Sequence, residues 1–182
     1  MIPSDHFVRF YNEVFKFLDE KNGLEKYYQE ISRHQEMHCC QCFMEKGLQG
    51  MEEYWGNIRK EENCVSSSWI EEDVRYSHMK KCPSLSKVLD SDAEACEKYC
   101  LHCAGWVLPL MTKCGFYHLR YQHSLHEPEC FSLSSDNREK VEEILQDLEK
   151  QGIKYIFSNL SEAEEVEKNR AHRIALQKKE KE

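Results

Sequence analysis

The apolar pattern predicts an α+β fold: a helical first third packed with a mostly antiparallel sheet and a central, cysteine-bearing helix. Three observations carry this. Apolar and aromatic residues recur at helical spacing as far as Ile58, the period shortens to two from Cys64 onward, and a stripe of Cys, Val and Leu at spacings of four and three crosses the middle of the chain.

A chain of 182 residues is long enough for one full core and short for two. The expected organisation is a single α+β domain over 1–160, helical over 1–62 and mixed over 63–160, with a charged helical tail over 161–182. With 40% apolar and 11% aromatic residues the chain can offset its ordering entropy. A formal net charge of -8, with no basic stripe carrying interleaved aromatics, argues against nucleic acid and anionic membrane as partners and leaves a small-molecule ligand. Met1 to His6 offer neither a basic nor an apolar signal region, and no apolar run approaches the roughly 18 residues of a membrane span. The expectation is a cytoplasmic protein. In a reducing compartment ten cysteines favour metal ligation, redox chemistry or plain buried thiols over disulfides.

The first helix is predicted to start at Ser4 as N-cap, because Phe7, Phe10, Tyr11, Val14, Phe15 and Leu18 share helical spacing before Lys21-Asn22-Gly23 stops it. Leu24, Tyr27, Tyr28 and Ile31 open a second helix running towards His38, Cys39 and Cys42. Gly47 and Gly50 punctuate it before Met51, Tyr54, Trp55 and Ile58 mark a third. Cys64 to Ile70 and Val74 to Lys80 read as a hairpin around the acidic turn Glu71-Glu72-Asp73. Cys82-Pro83 then makes a corner, with Ser84 able to cap a short turn carrying Leu85, Val88 and Leu89.

Asp92 is the expected cap of the central helix, which carries Pro109, predicted to kink it, and ends near Lys113 before Gly115. Phe116 to His123 and Cys130 to Leu133 suit an antiparallel pair joined through His126-Glu127-Pro128-Glu129. Asp136-x-x-Glu139 resembles a capping box, opening a helix with Val141, Ile144, Leu145 and Leu148 that Gly152 closes. A strand over Ile153 to Phe157 follows. Ser161-x-x-Glu164 is a possible cap for a helix that ends in a frayed, solvated tail.

The chemistry concentrates on the central helix. Its spacing places Cys96, Cys100, Cys103, Val107, Leu110 and Cys114 on a single face. Two readings of that face stay open. Cysteine is a small, often buried hydrophobe, and the face is then core. Alternatively, Cys100-Leu101-His102-Cys103 offers two thiolates from adjacent turns to one soft cation, zinc or iron, with Cys82 arriving from the corner before it. The fourth ligand of a closed tetrahedron is expected from Cys130, with Cys96 second. Cys39-Cys40-x-Cys42 is a weaker cluster, since adjacent helical residues point about 100° apart. His118, His123 and His126 lie on or just beyond the strand between the cysteine helix and Cys130, with Arg120 sharing the face of His118. They are candidate proton carriers, as is His78 on the hairpin.

Lys81-Cys82-Pro83 after a strand, Cys100-x-x-Cys103 on the next helix, Gly115-Phe116 opening a strand and Cys130-x-Ser132 in the strand after it resemble the bacterial L-2-amino-thiazoline-4-carboxylic acid hydrolase-like family, over about residues 50 to 135. The resemblance implies a small cytosolic α+β protein and hydrolytic ring opening of a cyclic amino-acid derivative. Two classes of function follow: a metal-binding or thiol-sensing module, and a hydrolase acting on a cyclic amidine or thiazoline-type acid.

Overall fold

A computed structural model of the chain describes residues 3–31, 39–62 and 64–179, with side chains over 7–31, 39–62 and 64–178. In chain order the elements are α1 (Pro3–Glu20), α2 (Leu24–Ile31), α3 (Cys39–Glu61), β1 (Val65–Glu71), β2 (Val74–Lys81) and α4 (Pro83–Leu89). Then come α5 (Leu101–Lys113), β3 (Tyr117–Gln122), β4 (Cys130–Ser135), α6 (Arg138–Lys150), β5 (Tyr155–Ser158) and α7 (Ala163–Lys179). The fold is α+β. Its sheet has the order β1-β2-β4-β3-β5, and every pairing is antiparallel.

Strand alternation gives the sheet two unlike faces. Tyr117 and Leu119 of β3, Val74 of β2 and Leu133 of β4 bury one face against Val141 and Leu148 of α6 and Val166 of α7. The other face carries His118, Arg120 and Gln122 of β3, Cys130, Ser132 and Ser134 of β4, and Arg75 and Ser77 of β2, and is approached by α3 and α5. A buried polar face is costly unless its groups are paired. Glu52 of α3 accepts from Arg75 Nε at 3.0 Å, from Arg59 Nη2 at 2.8 Å and from the Ser68 hydroxyl. His118 Nδ1 and Ser134 Oγ are 2.8 Å apart.

The central helix begins nine residues later than Asp92, at Leu101. Asn12 of α1 supplies the reason: its Oδ1 accepts the Cys96 N–H at 2.8 Å and its Nδ2 donates to the Glu94 carbonyl at 2.9 Å. Those backbone groups are satisfied across the core and need no helix. Cys96 therefore leaves the predicted helical face and is buried with Phe15 and Tyr99. Gly115, at φ 70°, ends α5 as expected: its N–H donates to the Thr112 carbonyl at 3.1 Å and that of Phe116 to the Met111 carbonyl at 3.0 Å.

Other caps differ from the sequence expectation. Cys82, not Ser84, is the N-cap of α4, because Pro83 takes the first helical position where a missing N–H costs nothing. Asn137, not Asp136, caps α6 by accepting the Lys140 N–H at 3.3 Å, since Asp136 is engaged by Arg173. The helix expected after Ser161 is α7, packed on α3 and α5 with Val166 and Arg173 buried, and most of the frayed end expected at 178–182 lies outside the described residues. Gly47, at φ 62°, breaks α3 where the sequence places punctuation. The Ser4 side chain and His38 lie outside the described residues.

Candidate functional site

Three structural corners deliver four cysteines to one place. Cys82 caps α4, and its N–H donates to the Pro128 carbonyl at 2.6 Å, tying this corner to the turn before β4. Cys100 is the N-cap of α5, Cys103 sits in its first turn, and Cys130 opens β4. All four line a single cavity together with Arg120 and Gln122 from the polar sheet face. It is closed down to about 10 Å³ of free space, room for roughly one water. The set predicted from sequence is thus brought together. Among the described residues, however, no group of three or more His, Cys, Asp or Glu is arranged to hold one metal ion. The cation that stands among these sulfurs is the Arg120 guanidinium, whose Nη2 donates to Cys130 Sγ at 3.1 Å.

The four sulfurs are not equivalent. Burial, reinforced by the negative charge of Cys103, pushes the Cys100 thiol up to about 12. Burial raises Cys130 to about 11 against the pull of Arg120, and raises Cys82 as well. Cys103 goes the other way. Burial opposes its ionisation, but His102 and Arg120 outweigh that penalty and bring it down to about 6. His102 Nε2 lies 3.4 Å from Cys103 Sγ. The other ring nitrogen, Nδ1, meets the Tyr99 carbonyl, which only accepts, so Nδ1 carries a proton and Nε2 is the atom that exchanges one with the sulfur. Burial alone would lower the pKa of His102, yet the Cys103 thiolate holds it above its ordinary value. Arg120 is likewise kept charged against burial, by Cys103 first and the other three sulfurs after it. Near neutral pH the cavity holds one thiolate and a guanidinium, with three neutral thiols around them and the His102 imidazole beside the thiolate, its affinity for a proton raised.

Two donors in this cavity lack acceptors among the described residues: Arg120 Nε and Gln122 Nε2. Gln122 is only 1% exposed and lies beside the Cys100 thiol, but no acceptor meets its Nε2 in hydrogen-bonding geometry. Each is disposed to receive negative charge developing at the site.

A larger cleft of about 370 Å³ opens on the far side of Cys103. Tyr11, Phe15, Tyr99 and Trp106 form much of its wall, and His102 and Cys103 belong to its lining too. Tyr99, His102 and Cys103 are therefore shared between the two cavities. The imidazole packs against Tyr99 and Phe15, with ring centroids 5.1 and 5.6 Å away.

The strand histidines have other surroundings. None of His78, His118, His123 and His126 lines the cysteine cavity. His118 is buried, and burial with Arg120 and Arg75 nearby lowers it to about 3, so it is neutral. His123 meets Phe131 edge-on at 6.0 Å, and His126 borders a groove with Asp92 and Ala93. His78 Nε2 is 2.6 Å from Glu129 Oε1. The proton partner is His102, inside the C-L-H-C run of α5 and not on a strand. In the second cysteine cluster Cys40 and Cys114 bring their sulfurs to 3.2 Å, linking α3 to the end of α5. None of the ten cysteines is bridged. No known protein family, curated protein or solved structure matches the chain.

Proposed function

We propose that the chain is a thiol-sensing module in which Cys103 is the reactive thiolate and Cys100 its disulfide partner. The supporting observation is the contrast within one cavity: His102 and Arg120 face the sulfur of Cys103, whereas burial keeps the three sulfurs around it protonated. The thiolate is the nucleophilic form, and this arrangement makes Cys103 the reactive one of the four at neutral pH. Cys100, three residues earlier and at the helix cap, is a neighbour of Cys103 on the first turn of α5. A disulfide between them removes the negative charge that balances Arg120. The buried guanidinium is then uncompensated and the local structure must respond, which is the change a partner would read.

Limiting iodoacetamide at pH 7 followed by peptide mapping tests this. Cys103 is expected to be alkylated at least about tenfold faster than Cys82, Cys100 or Cys130. Uniform modification of the four overturns the reading. So does one equivalent of zinc or iron in anaerobically purified protein that is lost in Cys103→Ser, which assigns the same residues to metal ligation.

The unpaired donors favour a second reading. A Cys103 thiolate attacking an amidine or acyl carbon of a molecule that turns its developing anion past the sulfur into the closed cavity would meet Arg120 Nε and Gln122 Nε2, which have no acceptor there. Turnover of a thiazoline carboxylate by reduced protein, abolished in Cys103→Ser, selects this hydrolytic reading. Absence of turnover removes it.

A further inference from the structure

We infer that the oxidant sensed by Cys103 is an uncharged organic hydroperoxide, which seats its apolar body in the aromatic cleft and its peroxide group against the sulfur. This rests on the thiol-sensing reading above and names its substrate class. The cleft is the argument. Its volume of about 370 Å³ falls in the range of small-molecule sites. Hydrogen peroxide has no apolar body to bury there. Away from His102 and Cys103 the cleft's lining carries one acid, Glu62, which repels the carboxylates of a glutathione-type disulfide. An uncharged aromatic or branched alkyl group suits walls made by Tyr11, Phe15, Tyr99 and Trp106. His102 and Cys103 then meet the reacting end.

The chemistry balances with these residues. The Cys103 thiolate attacks the distal peroxide oxygen, the O–O bond breaks, and the sulfur becomes a sulfenic acid while an alkoxide leaves. The alkoxide takes the proton that His102 carries at Nε2 after receiving it from the Cys103 thiol, and departs as the alcohol. The Cys100 thiol then attacks the sulfenic sulfur, forming the disulfide and releasing water. Two thiols and one hydroperoxide give one disulfide, one alcohol and one water. A small dithiol reductant returns the site to its starting state.

The test follows loss of the Cys103 thiol by rapid-quench alkylation and mass mapping, in reduced protein mixed with cumene hydroperoxide, hydrogen peroxide or oxidised glutathione. The expected result is that cumene hydroperoxide reacts about tenfold or more faster than hydrogen peroxide, the factor that burying one phenyl-sized group supplies, and that oxidised glutathione is slowest. Val8→Trp, which narrows the cleft from α1, is expected to lower the ratio of the first two rates. Hydrogen peroxide reacting as fast as or faster than cumene hydroperoxide in the unmodified protein overturns the assignment of oxidant and leaves the sensor reading standing. Failure of all three to oxidise Cys103 overturns the sensor reading itself.

Discussion

At Cys103 the balance is between desolvation, which opposes a thiolate, and two cations that favour it. Replacing His102 by Gln removes one cation and keeps a polar side chain of similar reach. The pH dependence of Cys103 alkylation is therefore expected to have its midpoint at about 6 in the parent protein and at least about one unit higher in His102→Gln. An unchanged midpoint removes His102 from the site. A second titration follows from His118. Its folded pKa, about 3, lies below the ordinary value of about 6.5. As pH falls from about 6.5 the unfolded imidazole binds a proton that the folded one refuses, so the native state loses stability down to about pH 3. Melting temperature between pH 7 and 5 is expected to fall more steeply in the parent than in His118→Gln, and equal slopes contradict this. The convergence of Cys82, Cys100, Cys103 and Cys130 is legible in sequence, because a corner, two helix positions one turn apart and a strand start have restricted directions. The role of Arg120 is not. Strand alternation shows which face it shares with His118, but a cation among thiols depends on the packing of α5 over that face.

Among the elements, the α5–β3 junction positions the site, since it holds Cys103 on one side and Arg120 on the other. Gly115 makes the junction with a positive φ, and a Cβ there would lie 2.2 Å from the Arg170 backbone nitrogen. Gly115→Ala is expected to destabilise the fold by at least about 1–3 kcal/mol, the cost of a left-handed non-glycine residue before the contact with α7 is added. A denaturation midpoint within error of the parent contradicts that. The hairpin of β1 and β2, the β3–β4 pair and the glycine stops are readable from local pattern, because alternation and turn chemistry act over a few residues. The start of α5 is not, because Asn12, more than 80 positions away, satisfies the backbone that a helix beginning at Asp92 would otherwise satisfy. Likewise Asp136 reads as a cap until Arg173 engages it.

Across the whole molecule, α7 completes the core that the earlier elements leave open. Arg173, 2% exposed, donates to the Cys114 carbonyl at 3.0 Å and the Gly115 carbonyl at 3.2 Å, lies 3.8 Å over the Phe116 ring and pairs with Asp136. Arg173→Ala is expected to cost about 3 kcal/mol, the lower end of the range for breaking a buried pair, since Asp136 keeps part of its solvent. A loss under about 0.5 kcal/mol, the scale of surface substitutions, would return the segment to the status of a tail. Read as sequence, 161–182 is a charged helical tail, because its apolar positions are few and one buried arginine does much of the joining. The architecture then has one polar sheet face, roofed by α5 and α3, and the central claim is that this interior runs thiol chemistry through one residue pair. Disulfide mapping by mass spectrometry, after one equivalent of cumene hydroperoxide is added to fully reduced protein, tests it most directly. A bridge between Cys100 and Cys103, absent in Cys103→Ser, is the predicted result. Oxidation confined to other cysteines, with Cys103 still a free thiol, would contradict it.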